Sequence, residues 1–311
     1  MEFENKIKSG DRLLVEGSMF DRLKRLAGDD FDPQLAHLGL VYSDRGQEAL
    51  KAAYSSYVEA AIASGLPIVL FTPTWRANQE RIARSSLKEH RVNERAADFL
   101  SQFRNFYPIG QVFIGGLVGC KNDSYTPTEG LTSEASEAFH TPQIATLGTS
   151  EVDFLFASTL PAVPEALGLA RAMAQTGKPY VLSFVTDTNG LTLDGQRLED
   201  AFKEIDGAVS RKPVGYFVNC THPTGLLVGL QRSGTSVDSL RGRLIGFQGN
   251  TSRRDPREFD TLPQLETEAP VSFANATIQL RDTFGLNLLG GCCGTGPEHI
   301  EAIGRLLRAE A

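Results

Sequence analysis

Eight short apolar runs recur along the chain, and helix-like stretches separate them. The runs cover residues 13–16, 68–72, 112–118, 152–158, 180–186, 214–220, 244–248 and 286–290. Most are continuously apolar rather than alternating, which is typical of parallel strands that helices cover on the outside. Eight repeats of this strand–helix alternation predict an α/β fold of the (β/α)8 TIM barrel type, in which one sheet closes on itself inside a ring of helices.

The stretches between the runs have the apolar periodicity of amphipathic helices. One such face is formed by Leu50, Ala53, Tyr57, Val58, Ala61 and Ile62. Because a barrel of this kind takes roughly 250 residues or more, we expect a single domain over residues 1–311. An open doubly wound sheet is the alternative, but residues 17–20 after the first run, GSMF, are not the glycine fingerprint that such a sheet usually carries there.

Charge and hydropathy exclude several classes of partner. The net charge is -7 and lysines and arginines form no dense cluster, which argues against nucleic acid. No apolar run approaches the ~20 residues of a membrane helix, and the first eleven residues are too polar for a signal peptide. Four cysteines in a chain of this length do not predict a disulfide framework. We therefore expect a cytoplasmic protein without membrane partners; no feature of the sequence predicts its oligomeric state.

Three of the four cysteines stand where a barrel places its active site. Cys220 closes the sixth run, and the adjacent pair Cys292 and Cys293 follows the eighth. Active sites of such barrels lie at the carboxyl ends of the strands, so all three thiols face one rim. Three thiolates leave one coordination position of a tetrahedral zinc ion open, as in catalytic zinc sites. Buried cysteines without a metal are the alternative, but a pair flanked by glycines together with a third thiol favours one zinc ion per chain.

Two motifs around these cysteines resemble a known family. Residues 290–300, GGCCGTGPEHI, closely resemble the closing motif of homocysteine S-methyltransferases, and residues 218–220, VNC, look like the second signature of that family. Weaker similarity extends over residues 57–78, 152–166 and 194–201. The resemblance implies a (β/α)8 barrel in which Cys220, Cys292 and Cys293 are the zinc ligands and the open position takes the thiol of the methyl acceptor.

The chemistry that this resemblance implies is methyl transfer to sulfur, which on homocysteine leads to methionine biosynthesis. A free thiol has a pKa near ~8.5 and is mostly protonated at neutral pH, whereas a zinc-bound thiol is deprotonated and nucleophilic. The methyl donor needs a good neutral leaving group. Because the chain carries no cobalamin or folate module, we expect a free onium donor such as S-methylmethionine, S-adenosylmethionine or betaine.

Two positions depart from the family pattern. Glu16-Gly17 follows the first run, where the family usually has Asp-Gly, and Ser158 stands where the family carries a glutamate that helps to hold the amino group of homocysteine. Either Glu16 compensates, or the natural acceptor is another small thiol that lacks the usual ammonium group. A catalytically weak barrel that binds zinc or a ligand is a further alternative.

Other residues near the predicted rim have two interpretations each. Trp75 could offer its face to an onium donor or pack a loop, and Arg76 could bind a substrate carboxylate or be a solvated charge. Asn219 could orient a zinc ligand or bind a substrate amide. His222 is an alternative ligand, and Cys120 a spare buried thiol or an occasional fourth ligand. The long connections 122–137 and 251–267 are candidate active-site loops or oligomer contacts.

Overall fold

Eight parallel strands form a closed barrel in the computed structural model, which describes residues 2–27, 31–261 and 266–309. The strands β1 to β8 are, in chain order, Leu13–Val15, Ile68–Phe71, Val112–Gly119, Phe154–Leu160, Tyr180–Phe184, Gly215–Asn219, Leu244–Gly249 and Leu288–Gly291. Each strand pairs with the next one along the chain, and β8 pairs with β1. The (β/α)8 barrel predicted from the sequence is confirmed.

The strands begin and end within two residues of their predicted positions. The strand β4 starts and ends two residues later than predicted, and its register against β5 shifts between Ala157 and Leu160. The shift lies at Ser158 and Thr159, and Thr159 has a φ of +60°. This conformation is unusual for a β-branched residue. The irregularity therefore distinguishes the carboxyl end of β4, the end at which barrels of this type carry their sites.

Helices surround the barrel. The helices α1 to α12 are Glu2–Ser9, Met19–Ala27, Asp44–Ser64, Gln79–Arg84, Val92–Arg104, Ser133–Thr149, Val163–Ala174, Leu198–Ala208, Pro223–Arg232, Val237–Leu240, Pro270–Phe284 and Pro297–Ala309. The apolar face predicted for α3 is buried except at Ile62, whose side chain is 49% exposed. At 100° per residue, Ile62 falls about 120° from Leu50 around the helix, so the prediction for this residue was wrong.

The amino end of the barrel is filled by side chains. Phe3 and Ile7 of α1 are buried there, and Phe3 stacks on Phe154 with ring centroids 3.8 Å apart. Aromatic residues from the strands, Phe113 and Phe217 among them, fill the space above. The interior is thus packed up to its middle, which leaves the carboxyl end of the barrel for a site.

No helix within the described ranges is long and apolar enough to cross a membrane.

Candidate metal centre and substrate pocket

The carboxyl ends of β6, β7 and β8 bring three cysteines together. Cys220 directly follows β6, and Cys292 and Cys293 directly follow β8. The intervening strand β7 holds both turns, because the N–H of Cys220 donates to the carbonyl of Gln248 at 3.0 Å and the N–H of Cys292 donates to that of Gly249 at 2.7 Å. Backbone hydrogen bonds to one shared strand therefore fix how far apart the cysteines lie.

The three sulfur atoms lie within 4.8 Å of one another. Cys220 and Cys292 are paired as a disulfide with their Cα atoms 5.6 Å apart, and the Sγ of Cys293 lies 3.9 Å from that of Cys292. We expected no disulfide from the sequence. The pairing arises because two strand ends, one strand apart, deliver thiols to the same point, and it lies inside the cluster rather than in a framework that staples loops.

The sulfur cluster fits a zinc ion. Four ligands at about 2.3 Å in a tetrahedron keep neighbouring sulfurs about 3.8 Å apart, close to the 3.9 Å between Cys292 and Cys293. Soft thiolates are donors that zinc accepts readily. Only thiolates ligate the metal, so the bond between Cys220 and Cys292 has to be reduced before an ion binds. The apolar side chains of Val185 and Leu193 pack around the cluster and limit the access of water.

The turn that carries the cysteine pair requires glycine at one position. Gly294 has a φ of +79°, and a Cβ there would collide with Oγ1 of Thr251. The same turn is tied on both sides: the N–H of Thr251 donates to the carbonyl of Cys293 at 3.2 Å, and Oγ1 of Thr295 donates to that of Cys292 at 2.6 Å. The cysteine pair is therefore held by a rigid turn.

Asn219 connects two strained residues at the rim. Cys220 and Thr159 have φ values of +54° and +60°, a region that non-glycine residues rarely adopt. The side-chain oxygen of Asn219 accepts from the N–H of Thr159 at 3.1 Å, and its Nδ2 donates to Oγ1 of Thr159 at 2.8 Å and to Sγ of Cys220 at 3.4 Å. Asn219 is 2% exposed. It touches a cluster sulfur directly, in keeping with a role in orienting that ligand.

Glu16 and Gly17 line the pocket at the end of β1. The Glu16 side chain accepts one hydrogen bond, from the N–H of Phe71 at 3.1 Å. Burial raises the pKa of the Glu16 carboxyl well above its ordinary value, which favours the neutral acid. Ser158 also lines the pocket, and its hydroxyl lies 3.0 Å from that of Thr159. The positions where the family pattern has carboxylates thus offer a buried acid and a hydroxyl.

Trp75 and Arg76 lie on the loop after β2 and also line the pocket. The Arg76 guanidinium stacks over the Trp75 ring, 4.6 Å from its centroid. The carbonyl of Trp75 accepts from the N–H of Gly119 at 3.1 Å, and the indole lies where a side chain at that glycine would be. The face of Trp75 that we considered for an onium donor is therefore occupied, on one side, by a cation of the chain itself.

Two further candidates are engaged away from the cluster. Nδ1 of His222 accepts from the N–H of Thr224 at 3.2 Å, and its Nε2 lies 2.8 Å from a Glu268 oxygen, so neither ring nitrogen is left for a metal. Cys120 lies outside the sulfur cluster, with its Sγ 3.2 Å from the Ser124 hydroxyl. Burial raises the pKa of the Cys120 thiol to about 12, which keeps it protonated.

Sequence reasoning missed the polar residues at the carboxyl end of β7. Nδ2 of Asn250 donates to the carbonyl of Cys220 at 2.7 Å, and Nε2 of Gln248 reaches the carbonyl of Gly291 at 3.3 Å. Both line the pocket. The signal was present in the sequence, since residues 248–250, QGN, place two amides at the end of a barrel strand.

A buried carboxylate holds the first part of the predicted connection 122–137 over the site; its last five residues, from Ser133, belong to α6. One oxygen of Glu165 accepts from the N–H of Lys121 at 2.8 Å, and the other accepts from that of Leu131 at 3.4 Å. Between these anchors the loop brings Asp123, Ser124 and Tyr125 to the pocket. The second long connection, 251–267, reaches the pocket through Ser252 and Glu266, and residues 262–265 lie outside the described ranges.

These residues enclose a cavity of about 620 Å³ at the carboxyl end of the barrel, with the cysteines on its wall. That volume is typical of small-molecule sites.

Comparison with known proteins places the chain among relatives of similar length. The family model described as homocysteine S-methyltransferase matches residues 13–307. Homocysteine S-methyltransferase 1 of Zea mays is 22% identical over 97% of this chain and 96% of its own length. Homocysteine S-methyltransferase YbgG of Bacillus subtilis is 24% identical over 84% of this chain and 79% of its own.

The solved structures show the same barrel. The homocysteine methyltransferase MmuM from Escherichia coli superposes in its metallated form with a TM-score of 0.73 at 22% identity, covering 97% of this chain and 96% of that one. Its oxidized form gives a TM-score of 0.72 at the same identity and coverage.

Proposed function

The chain belongs to the homocysteine S-methyltransferase family, and from that premise we propose that it moves a methyl group from a small onium donor to a thiolate held at a zinc ion. The ligands of that ion are Cys220, Cys292 and Cys293. Homocysteine is the proposed acceptor, and S-methylmethionine, S-adenosylmethionine or betaine the proposed donor. The observation that carries the proposal is the convergence of three sulfurs, within 4.8 Å, on the wall of a cavity at the catalytic end of the barrel. A relative solved in a metallated form supports the metal.

The bound ion would lower the pKa of an incoming thiol, so that the thiolate is present at neutral pH. The residues of the chain do the rest. Asn219 donates to the sulfur of Cys220 and fixes its orientation, and Val185 and Leu193 keep the surroundings dry. In the transfer, the new sulfur–carbon bond forms as the bond between the methyl carbon and the onium atom breaks, and the electron pair of the broken bond stays on the onium atom, which loses its positive charge. No proton moves at carbon, so positioning of the two substrates dominates the rate.

A different small thiol is the second candidate acceptor, and the geometry around Glu16 favours it. An amino acid needs an anion for its ammonium group, yet burial raises the pKa of Glu16 well above its ordinary value and Ser158 carries no charge. Because burial disfavours the charged form of Glu16, an ammonium group gains less from that contact, whereas a thiol without an ammonium group has no such requirement.

Methyl transfer to homocysteine, measured with each donor in the presence of a thiol reductant, tests the proposal. We expect product with at least one donor, loss of the activity when a chelator removes the metal, and recovery when zinc is restored. Activity that survives complete removal of metal would refute the mechanism. Tight zinc binding without turnover for any pair of donor and thiol would instead identify a barrel that only binds metal or ligand.

Restoring a carboxylate in β4 should improve the use of homocysteine. Because a charge-assisted hydrogen bond contributes about 1.5–3 kcal/mol, we expect Ser158→Glu to lower the KM for homocysteine about tenfold. Ser158→Gln, which has nearly the same shape and no charge, is the matched control and should not lower it. A KM that is equal in the wild type and in Ser158→Glu would contradict the role we assign to the missing charge.

A further inference from the structure

We propose that Arg76, stacked on Trp75, binds an anionic group of the small substrate, a carboxylate or a sulfonate. The inference rests on the proposed function for its reaction and names the chemical class of substrate that the pocket selects. It concerns the part of the pocket formed by the loop after β2, not the sulfur cluster.

The first observation is that Arg76 has no counter-ion among the residues that the structure describes. Within the described part of the chain, no carboxylate lies at ion-pair distance from its guanidinium, and its Nε is buried without a hydrogen-bond partner. Buried polar groups of folded proteins are nearly always paired, and an uncompensated cation in a partly buried position is costly. A guanidinium without a counter-ion on the wall of a cavity is explained by an anionic ligand that neutralises its charge.

The second observation is that the loop that carries Arg76 is fixed in place. Oγ1 of Thr74 donates to the carbonyl of Leu117 at 2.6 Å, and the amide of Gln143 donates to the carbonyl of Thr74 at 2.9 Å. The hydrogen bond from Gly119 fixes the carbonyl of Trp75. The planar guanidinium is thus presented on a firm aromatic surface, which suits two-point recognition of a carboxylate or sulfonate.

Neighbouring groups leave this positive charge uncompensated. Of the acids that line the pocket, Asp21 accepts from the Ser18 hydroxyl at 2.6 Å and Glu266 pairs with Arg254 at 2.8 Å. Asp123 accepts from the N–H of Tyr125 at 2.6 Å. The carboxyl of Glu16 is buried against the N–H of Phe71.

A second unpartnered nitrogen lies in the same pocket. His37 is 5% exposed, lines the cavity and has no partner for its Nδ1. Its ring lies in an aromatic group with Phe20, which also contacts Trp75 at a centroid distance of 6.0 Å. Burial lowers the pKa of His37 to about 4, so the ring is neutral and adds no positive charge to the pocket. Lys24 lines the pocket as well and adds a second positive charge.

These features define the class of substrate. A purely cationic onium would meet Arg76 on the face of Trp75 and be repelled. A substrate that combines its thiol or its onium group with a carboxylate or sulfonate satisfies the guanidinium and keeps its reacting end free. The pocket therefore selects small anionic or zwitterionic molecules over cationic ones of the same size.

The only tryptophan of the chain, Trp75, makes the test direct, because its fluorescence reports binding without turnover. Two matched pairs of probes are titrated: 3-mercaptopropionate against cysteamine, and glycine betaine against choline. We expect Arg76→Gln to weaken binding of an anionic member about tenfold and to strengthen binding of the cationic member, because the repulsion is relieved. Arg76→Lys should bind the anionic members more tightly than Arg76→Gln does, because lysine keeps the positive charge but lacks the planar pair of N–H donors. Arg84→Gln, a change at a mostly exposed arginine of α4, is the control.

The outcomes separate this inference from the proposed function. An effect confined to the thiol pair assigns Arg76 to the acceptor, and an effect confined to the onium pair assigns it to the donor. Equal affinities in the wild type and Arg76→Gln for both anionic probes would overturn the inference even if methyl transfer proceeds. Conversely, binding that depends on Arg76 in a protein that transfers no methyl group would support the site and reject the proposed reaction.

Discussion

Cys293→Ser should remove the bound metal and lower the rate of methyl transfer more than 100-fold. Residues that only orient a metal ligand already contribute about 10–100-fold to affinity or activity, so loss of one of three thiolate ligands has to exceed that range. Cys293 is the informative choice because it lies outside the Cys220–Cys292 disulfide. Its replacement keeps the thiols of Cys220 and Cys292, so in the reduced protein the change removes one ligand and leaves the other two.

The matched control is Cys120→Ser. Cys120 is buried like Cys220, yet its sulfur is not part of the cluster. Metal content of the reduced protein, measured by mass spectrometry under native conditions, should be near one zinc per chain in the wild type and the control, and near zero in Cys293→Ser. Full zinc occupancy in Cys293→Ser would remove Cys293 from the ligand set.

Asn219→Ala should weaken zinc binding by about 10–100-fold and destabilise the fold as well. The change removes the hydrogen bond to the sulfur of Cys220 and both bonds to Thr159. The N–H of Thr159 is left buried without a partner, which lowers the free energy of unfolding by about 1–3 kcal/mol. Cys220 and Thr159 also lose the side chain that holds their left-handed backbone conformations.

Ser183→Ala separates the two effects. Ser183 donates to the same side-chain oxygen of Asn219 at 2.6 Å but touches no cluster sulfur in the contacts described. We expect it to change stability by about 0.5–1.5 kcal/mol and to leave zinc affinity nearly unchanged. Competition with a chromogenic chelator measures the affinity, and thermal unfolding measures the stability. Equal zinc affinities for Asn219→Ala and Ser183→Ala would show that the contact with Cys220 does not matter to the metal.

The sequence was sufficient for the barrel and for the meeting of the cysteines. Continuous apolar runs predict buried parallel strands, and parallel strands in a closed sheet end at one rim, so Cys220 and Cys292 had to come near each other. The register of β4 could not be read in this way, because its shift depends on Thr159, whose φ is fixed by contacts with Asn219, sixty positions along the chain.

The contacts around the cysteines were harder to predict from the sequence, for the same reason. The indole of Trp75, on which Arg76 stacks, fills the space that a side chain at Gly119 would take, and Gly119 lies on the next strand. The loop over the site is held by Glu165, a residue that reads as part of an ordinary helix. Contacts of this kind join segments that have no local pattern in common, and only the folded chain brings them together.

The packing of Phe3 and Ile7 into the amino end of the barrel limits the routes by which substrates enter and products leave. With that end filled, both substrates and both products pass through the mouth at the carboxyl end. If the thiol acceptor binds at the sulfur cluster, we expect it to bind before the methyl donor and its methylated product to leave last. A barrel closed at one end should therefore bind its substrates and release its products in a fixed order. The pattern of product inhibition in steady-state kinetics should show that order.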